Sequence, residues 1–305
     1  MSKSISNADP DAIKSPAYMG GLAIAIGGAV LFSTKAIVAK LLYGYQIDAV
    51  TLIAFRMMFS LPVFGAIALW QMCSAAPLSN IDRWRLVGLG LVGYYLSSFL
   101  DFLGLQYISV GLERLILFLT PTFVLLITAL FFKRHISRMQ WLALAVSYCG
   151  IVLVFIHDLQ GGGSNVVLGS LLVLGAACSY AFYLLSSGEL VKRIGALRLV
   201  SYAMCVSSVA CIGQFFVLRP VETLLQPMPV YWLSLLNGVL CTVFPVFMTM
   251  TAVARIGAAA TSQAGMVGPV STLFLGAWLL NEPVTQWQLA GTSLVLFGIY
   301  LLSRK

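Results

Sequence analysis

Charged residues are scarce in this sequence. Asp, Glu, Lys and Arg together make up only 9% of its 305 residues, and the mean hydropathy is +0.96. Soluble domains contain roughly a quarter charged residues, so this chain could not cover its surface with polar groups in water. The composition excludes a soluble globular protein and indicates a chain surrounded by a lipid bilayer.

Motifs for metals, cofactors and catalysis are missing as well. The two histidines, His135 and His157, lie at the ends of apolar segments, and the six cysteines show no metal-binding spacing. The sequence contains no H-E-x-x-H or G-x-S-x-G motif and no Ser/His pair within an apolar segment. We therefore expect no metal, no cofactor and no enzymatic activity. Two alternatives from other classes stay open: a channel, and an intramembrane enzyme with Asp101 and Glu113 as acid and base.

An internal repeat relates the two halves of the chain. A shift of 148 residues aligns Gly21 with Gly169 and Gly150 with Gly298 without a gap. Each half holds five apolar segments of about 20 residues, the length that a transmembrane helix needs. Because five is odd, the second half enters the membrane in the opposite orientation, as in secondary transporters. We predict an all-α integral membrane protein of ten transmembrane helices, arranged as two inverted five-helix repeats around a central cavity. The predicted spans are 18–42, 49–71, 85–107, 109–132, 138–156, 168–190, 198–218, 231–254, 257–280 and 286–302.

The basic residues predict the orientation of the chain. Outside the spans, thirteen Lys and Arg residues fall on the side of the N-terminus, and only Arg219 falls on the other side. Positive residues accumulate on the cytoplasmic side, so both termini are expected there, and the net charge of +8 needs no nucleic-acid partner. The predicted segments are a cytoplasmic tail 1–17, a first repeat 18–156, an external Gly-rich linker 157–167, a second repeat 168–302 and a cytoplasmic end 303–305.

The end of each repeat carries a motif that resembles a known family. Residues 275–302 read LGAWLLNEPVTQWQLAGTSLVLFGIYLL, and residues 111–137 read GLERLILFLTPTFVLLITALFFKRHIS. Both are similar to the EamA family of the drug/metabolite transporter superfamily, and the chain resembles more loosely its exporters of aromatic and other amino acids. The resemblance implies a multi-pass protein of a bacterial inner membrane. It also implies a cavity lined by spans 1, 3, 4, 6, 8 and 9, with spans 5 and 10 at the periphery.

Charged residues inside the apolar segments form a candidate layer near the outer side. At 1.5 Å per helical residue, Lys35, Arg56, Asp101, Glu113 and Arg114 all lie within roughly 6–11 Å of the predicted outer boundary. A charge costs at least ~2.5 kcal/mol at the bilayer centre, so these side chains should face the protein interior and pair. The layer is a structural cluster, with Arg56 or Arg114 bridging Asp101 or Glu113, or it is an outer gate, or it is a binding site for a charged substrate. The counterparts in the second repeat are uncharged: Tyr183, Met204, Thr249, Thr261 and Ser262.

Polar side chains recur at three- and four-residue spacing on the spans expected to line the cavity, and so share one helix face. A single Ser or Thr in a membrane usually bonds its own helix or a neighbouring one. Tyrosines offer an apolar face and a hydroxyl group, which suits amphipathic molecules, and a lysine ammonium can bind a carboxylate. The candidate substrate-binding residues are Lys35, Tyr94, Ser97, Ser98, Tyr180, Tyr183, Thr242 and Gln263.

Two prolines occupy equivalent positions in spans 4 and 9, Pro121 and Pro269. A proline removes a helical hydrogen bond and favours a kink, and matched breaks in inverted halves indicate a binding site or a hinge. We expect both prolines to act as hinges. The predicted function is export of small organic metabolites, chiefly amino acids and related compounds, by alternating access. Drugs, amines and nucleotide-type metabolites are alternatives. The expected partners are the substrate and the lipid bilayer, and one chain suffices to enclose the cavity, so a monomer is expected.

Overall fold

The computed structural model describes residues 16–74, 76–132, 138–160, 165–265, 267–282 and 284–303, and the regular structure of these residues is entirely helical. The predicted tail up to residue 15, linker residues 161–164 and the last two residues lie outside this description. Two π-helical segments, Leu91–Leu96 and Val239–Val243, join α3 to α4 and α10 to α11. The α-helices are α1 Pro16–Tyr43, α2 Ala49–Ser74, α3 Asn80–Gly90, α4 Ser97–Leu105, α5 Val110–Leu117, α6 Thr120–Phe132, α7 Arg138–Gln160, α8 Val166–Ile194, α9 Ala196–Leu218, α10 Met228–Gly238, α11 Phe244–Ala264, α12 Val267–Leu280 and α13 Gln286–Ser303.

Within the described residues, seven helices are long and apolar enough to cross a bilayer. They correspond to predicted spans 1–4 and 6–8. Two shorter apolar helices, Trp141–His157 and Val267–Leu280, match predicted spans 5 and 9, and α13 coincides with predicted span 10. The chain is a multi-pass membrane protein. The seven long helices run Tyr18–Tyr43, Ala49–Ser74, Asn80–Leu105, Val110–Phe131, Val166–Gly188, Ala196–Leu218 and Met228–Ala252.

The boundary between predicted spans 8 and 9 differs from the structure. The sequence predicts a break between residues 254 and 257, whereas α11 continues without interruption from Phe244 to Ala264. The three alanines at 258–260 favour a helix, and no proline stands at the expected break. The helix ends before Gly265 instead, so α12 has only 14 residues.

Irregular backbone occurs at matched places in the two halves. The π-helical segments begin at Leu91 and Val239, which are 148 residues apart. The breaks between α5 and α6 and between α11 and α12 are matched to within one residue of the same 148-residue shift. Pro121 is the second residue of α6 and Pro269 the third of α12, where the missing N–H leaves no helical hydrogen bond unmade. Each proline therefore begins a half-helix.

Helix packing repeats in reciprocal pairs. Gly150 of α7 lies against the backbone oxygen of Gly291 in α13, and Gly298 of α13 lies against that of Ala143 in α7. Residues 143 and 291 are also 148 apart, so the two contacts are equivalent, with the roles of the two halves exchanged. Small residues of this kind let membrane helices approach closely. A second pair of contacts follows the same rule. Gly27 contacts Met248 and Gly175 contacts Leu100, and the 148-residue shift takes Gly27 to Gly175 and Leu100 to Met248.

Polar contacts of arginine side chains mark the two ends of the helix bundle. Asp48 before α2 binds Arg219 after α9, with Oδ2 2.7 Å from Nη2. Burial raises the pKa of the Asp48 carboxyl, but hydrogen bonds from Arg219 and Thr51 outweigh it and leave the pKa below its usual value. At the opposite ends of these two helices, Arg198 Nη2 donates to the backbone oxygen of Ala76 at 2.8 Å. The Asp48–Arg219 end is the predicted outer side.

Candidate functional site

A cavity of about 540 Å³ lies between the two halves. Residues of α1, the α3–α4 span, α5, α6, α8, α11, α12 and the second π-helical segment form its wall, as the family resemblance implies for the corresponding spans. Two further helices contribute, through Arg56 of α2 and through Val200 and Met204 of α9. The polar groups within this mostly apolar wall are concentrated on a few side chains, which is typical of a small-molecule site.

Six of the predicted substrate-binding residues line this cavity, whereas Tyr183 does not. Tyr183 is only 4% exposed and lies behind the wall. The side chain of Gln263 lies outside the part of the chain that the structure describes. The six residues on the wall are Lys35, Tyr94, Ser97, Ser98, Tyr180 and Thr242.

Tyr183 supports the wall from behind. Its hydroxyl lies 3.2 Å from that of Tyr94, and the two rings meet edge to face with centroids 5.0 Å apart. The opposite neighbour is Tyr180, whose ring stacks on it at 5.6 Å. Gly93 lies so close to the Tyr183 ring that a side chain at this position would overlap the ring. Tyr183 therefore positions two cavity tyrosines, which its regular spacing with Tyr180 in the sequence does not reveal.

Two serines join α8 to the first π-helical region. Ser179 Oγ donates to the backbone oxygen of Val92 at 2.7 Å, and Ser97 Oγ donates to that of Ala176 at 3.2 Å. The backbone oxygen of Val92 already accepts the N–H of Ser97 in the π-helical turn, so Ser179 adds a second hydrogen bond to this carbonyl group. Ser97 thus holds helices together while it lines the cavity.

The five predicted charged residues come together beside the cavity, and an arginine pairs with Glu113 as expected, whereas Asp101 pairs with a lysine. Asp101 is bridged by Lys35, with Nζ 2.6 Å from Oδ2, and not by an arginine. Arg114 Nε lies 3.8 Å from Oε2 of Glu113, its neighbour in sequence. All four are at most 5% exposed. Lys35 is therefore already neutralised within the protein.

Two phenylalanines connect these charges. Phe102 lies between Lys35 and Arg56, with 5.1 Å from its ring centroid to each cationic group. Phe32 lies between Lys35 and Arg114 at 5.2 and 5.6 Å. Aromatic faces attract cations, so the rings stabilise three positive side chains at close quarters. Sequence analysis missed both rings, although each is within three residues of a buried charge.

Arg56 connects the charged cluster to the second half of the chain. Its Nε donates to Thr242 Oγ1 at 2.9 Å, and this hydroxyl donates in turn to the backbone oxygen of Asn237 at 2.9 Å. Thr242 belongs to the second π-helical segment, five residues after Asn237. The irregular backbone therefore supplies the acceptor that orients a buried guanidinium group.

Both proline-containing spans form hydrogen bonds with Ser33 of α1. Ser33 Oγ donates to the backbone oxygen of Gly268 at 3.0 Å, close to the start of α12. Arg114 of α5 donates to the backbone oxygen of Ser33 at 3.4 Å. Pro121 lines the cavity and Pro269 is buried. Ser33 is a third residue that the sequence analysis missed, and its position two residues before Lys35 was the available signal.

This helical, multi-pass architecture with a cavity between repeated halves defines the class of membrane transporters. The EamA-like transporter family matches residues 19–156 and 167–304, once for each half, and the chain belongs to this family. "Uncharacterized transporter YcbK" of Bacillus subtilis (strain 168) is 31% identical over 286 residues, which is 89% of both proteins. An "Uncharacterized transporter" of Archaeoglobus fulgidus is 26% identical over 73% of this chain and 79% of its own length.

The comparison with solved structures concerns the fold alone. A chain described as "Crystal structure of protein" superposes with a TM-score of 0.64 over 92% of this chain and 97% of its own length, at 16% identity. The family resemblance predicted from the repeat motifs is confirmed, and the chain is a membrane transporter. The names of the relatives give no substrate.

Proposed function

We propose that this transporter exports small organic metabolites, chiefly amino acids and related compounds, by alternating access across a bacterial inner membrane. The observation that carries the proposal is the cavity between the halves, flanked by helix breaks at matched positions. Half-helices in corresponding places of two repeats are typical of carrier binding sites. The wall of tyrosine rings and buried charges suits molecules that are partly apolar and partly polar.

The proposal includes ten spans, with the halves related by a two-fold axis in the membrane plane and both termini in the cytoplasm. The reciprocal contacts of Gly150 and Gly298 support the two-fold relation, because they exchange equivalent residues of the two halves. The excess of basic residues on one side supports the orientation. The Lys35–Asp101 pair then belongs to the outer part of the cavity, where it can hold the outer side closed.

The proposal is tested with purified protein in liposomes loaded with an unlabelled compound. Amino acids, nucleosides and amines, each radiolabelled outside, are compared with protein-free liposomes. A carrier gives saturable uptake that the internal compound accelerates, and we expect this for at least one amino acid. Linear, unaccelerated uptake would indicate a channel, and chemical conversion of the label an enzyme. Accelerated uptake of amines or nucleosides alone would keep the carrier but overturn the amino-acid assignment.

A further inference from the structure

The buried charges at the outer end of the cavity do not balance. Three cations, Lys35, Arg56 and Arg114, stand against two carboxyl groups, Asp101 and Glu113, and all five residues are at most 5% exposed. Lys35 pairs with Asp101, and Arg114 lies beside Glu113. Arg56 pairs with no carboxylate among the residues that the structure describes. The excess positive charge therefore resides on Arg56.

The guanidinium group of Arg56 has unused hydrogen-bonding capacity. Its Nε donates to Thr242, whereas its Nη1 is buried and has no acceptor within the described structure. A buried cation is costly unless it is both paired and hydrogen-bonded. Because Arg56 lines the cavity, a ligand can supply the missing anion there.

The surrounding wall limits which anion fits. Aromatic side chains of Phe32, Tyr94, Phe118 and Tyr180 line the same cavity, and they provide apolar contact for an organic group. A guanidinium group presents parallel N–H donors that match the two oxygens of a carboxylate. The counterpart of Arg56 in the second repeat, Met204, also lines the cavity and carries no charge. The cavity therefore has one anion-binding end.

We propose that Arg56 binds the carboxylate of the transported molecule, with Thr242 orienting the guanidinium group. The substrate class is then small carboxylic acids with an apolar body, including amino acids, whereas molecules that are only cationic are excluded. This inference rests on the proposed transport function. It also moves carboxylate binding from Lys35, which Asp101 already occupies, to Arg56.

The test measures binding of three matched probes to the detergent-purified protein by isothermal calorimetry. The probes are 3-phenylpropionate, its alcohol 3-phenylpropanol, and phenethylamine. We expect binding of the acid only, and a Kd roughly 10- to 100-fold higher in Arg56→Gln, the size of effect for losing a hydrogen-bonded charge. Arg219→Gln is the control, because it also replaces an arginine by glutamine but at a residue outside the cavity. This variant should bind the acid with an unchanged Kd.

Each other outcome overturns the inference. These outcomes are equal binding of the alcohol or amine, no binding of the acid to the natural protein, and an unchanged Kd in Arg56→Gln. If Arg56→Gln does not elute as a folded monodisperse protein, Arg56→Lys decides instead, because it keeps the charge but loses the planar donors. We expect several-fold weaker binding for Arg56→Lys, and an unchanged Kd refutes the assignment.

Liposome counterflow with the same probes separates this inference from the proposed function. Acid binding without any counterflow supports the anion site and contradicts transport. Counterflow of phenethylamine but not of the acid supports transport and contradicts the anion site.

Discussion

Single buried charges are the residues most sensitive to change in this protein. The Lys35–Asp101 pair is almost completely removed from solvent, with 7% and 4% of the two side chains exposed. In such a place the cost of desolvating each ion is offset chiefly by its partner. A protein that keeps only one of the two charges should therefore be less stable than a protein that lacks both. Sequence analysis placed Lys35 both in the charged layer and among the substrate-binding residues, and the ion pair with Asp101 changes what the removal of Lys35 should do.

We expect Lys35→Ala to lower the free energy of unfolding by about 3–5 kcal/mol, because Asp101 is left without compensation. The double variant Lys35→Met with Asp101→Leu should recover most of this loss. Thermal unfolding in detergent measures both, and Thr249→Ala serves as control, since Thr249 is the uncharged counterpart of Asp101 and lines the same cavity. A fully stable Lys35→Ala protein would show that the pair contributes no stability.

Tyr183 and Tyr180 should respond differently to substitution. Replacing the buried Tyr183 by alanine leaves a cavity behind Tyr94, so we expect a stability loss of about 3–5 kcal/mol, as for other large aromatic residues. Tyr180→Ala removes a wall residue, and we expect weaker transport with a smaller loss of stability. Unfolding midpoints and counterflow rates of the two variants check this. Normal stability of Tyr183→Ala would instead favour a direct role in substrate binding.

The Asp48–Arg219 pair gives a pH-dependent contribution at the predicted outer side. Because the pKa of Asp48 is lowered in the folded state, the stabilisation is present above the unfolded value of about 3.9 and disappears as the pH falls through the folded value. Both side chains are more than a third exposed, so the pair is worth less than about 1 kcal/mol. The stability difference between the natural protein and Arg219→Gln should therefore shrink towards zero on acidification. A difference that stays constant from pH 7 to 3 contradicts this.

At the scale of helices, the two π-helical segments are the elements of special interest for the cavity. Each π-helical segment contributes a cavity residue, Tyr94 in the first and Thr242 in the second, and the Thr242 hydroxyl donates to the backbone oxygen of Asn237. Such single-turn π-bulges are frequent at functional sites. Their occurrence at the same place in both halves indicates that the repeat preserves backbone geometry as well as helix count.

Two glycines of one span provide a matched test of this geometry. An alanine at Gly93, in the π-helical segment, would overlap the Tyr183 ring, and we expect a loss of about 1–3 kcal/mol for this overpacking. Gly88 lies in regular helix with open space beside it, so Gly88→Ala should gain about 0.5–1 kcal/mol. Unfolding midpoints of the two variants are compared. Equal effects would mean that Gly93 does not constrain the span.

At the scale of the whole molecule, the two halves make equivalent contacts with each other, and the cavity lies between them. The alternating access that we propose uses a two-fold relation of the halves, because a cavity on such an axis can open to either side through equivalent movements. The charges break this equivalence, because the first half supplies all five buried ionic residues of the cavity region. The two halves therefore share their helix arrangement, but only the first half supplies buried charges to the cavity region.

The predicted orientation is tested by thiol labelling in a background without the six native cysteines. Gly162→Cys, in the Gly-rich linker, should react with a membrane-impermeant maleimide in intact cells, because an odd number of spans precedes it. Ser2→Cys should react only after the membrane is permeabilised. Labelling of residue 162 only in permeabilised cells would refute an external linker.

Composition and repetition determined the class of this protein without any tertiary information. Long apolar runs can be stable only in a bilayer, and a gap-free 148-residue repeat with the motifs at 111–137 and 275–302 defines a family. Depth also followed from the sequence, since a helix advances by a constant rise per residue. The five charged residues of the outer end were therefore predicted to lie at one level, and the structure places them together.

Partner choice was decided only by the tertiary structure. Several pairings of Lys35, Arg56 and Arg114 with Asp101 are equally compatible with their depths, and helix rotation, which no local pattern reports, selects among them. The same rotation places Tyr183 behind the wall and Tyr180 on it, although three residues separate them. The π-helical segments and the end of α11 were also beyond the sequence, because packing against neighbouring helices decides where a membrane helix departs from regular geometry.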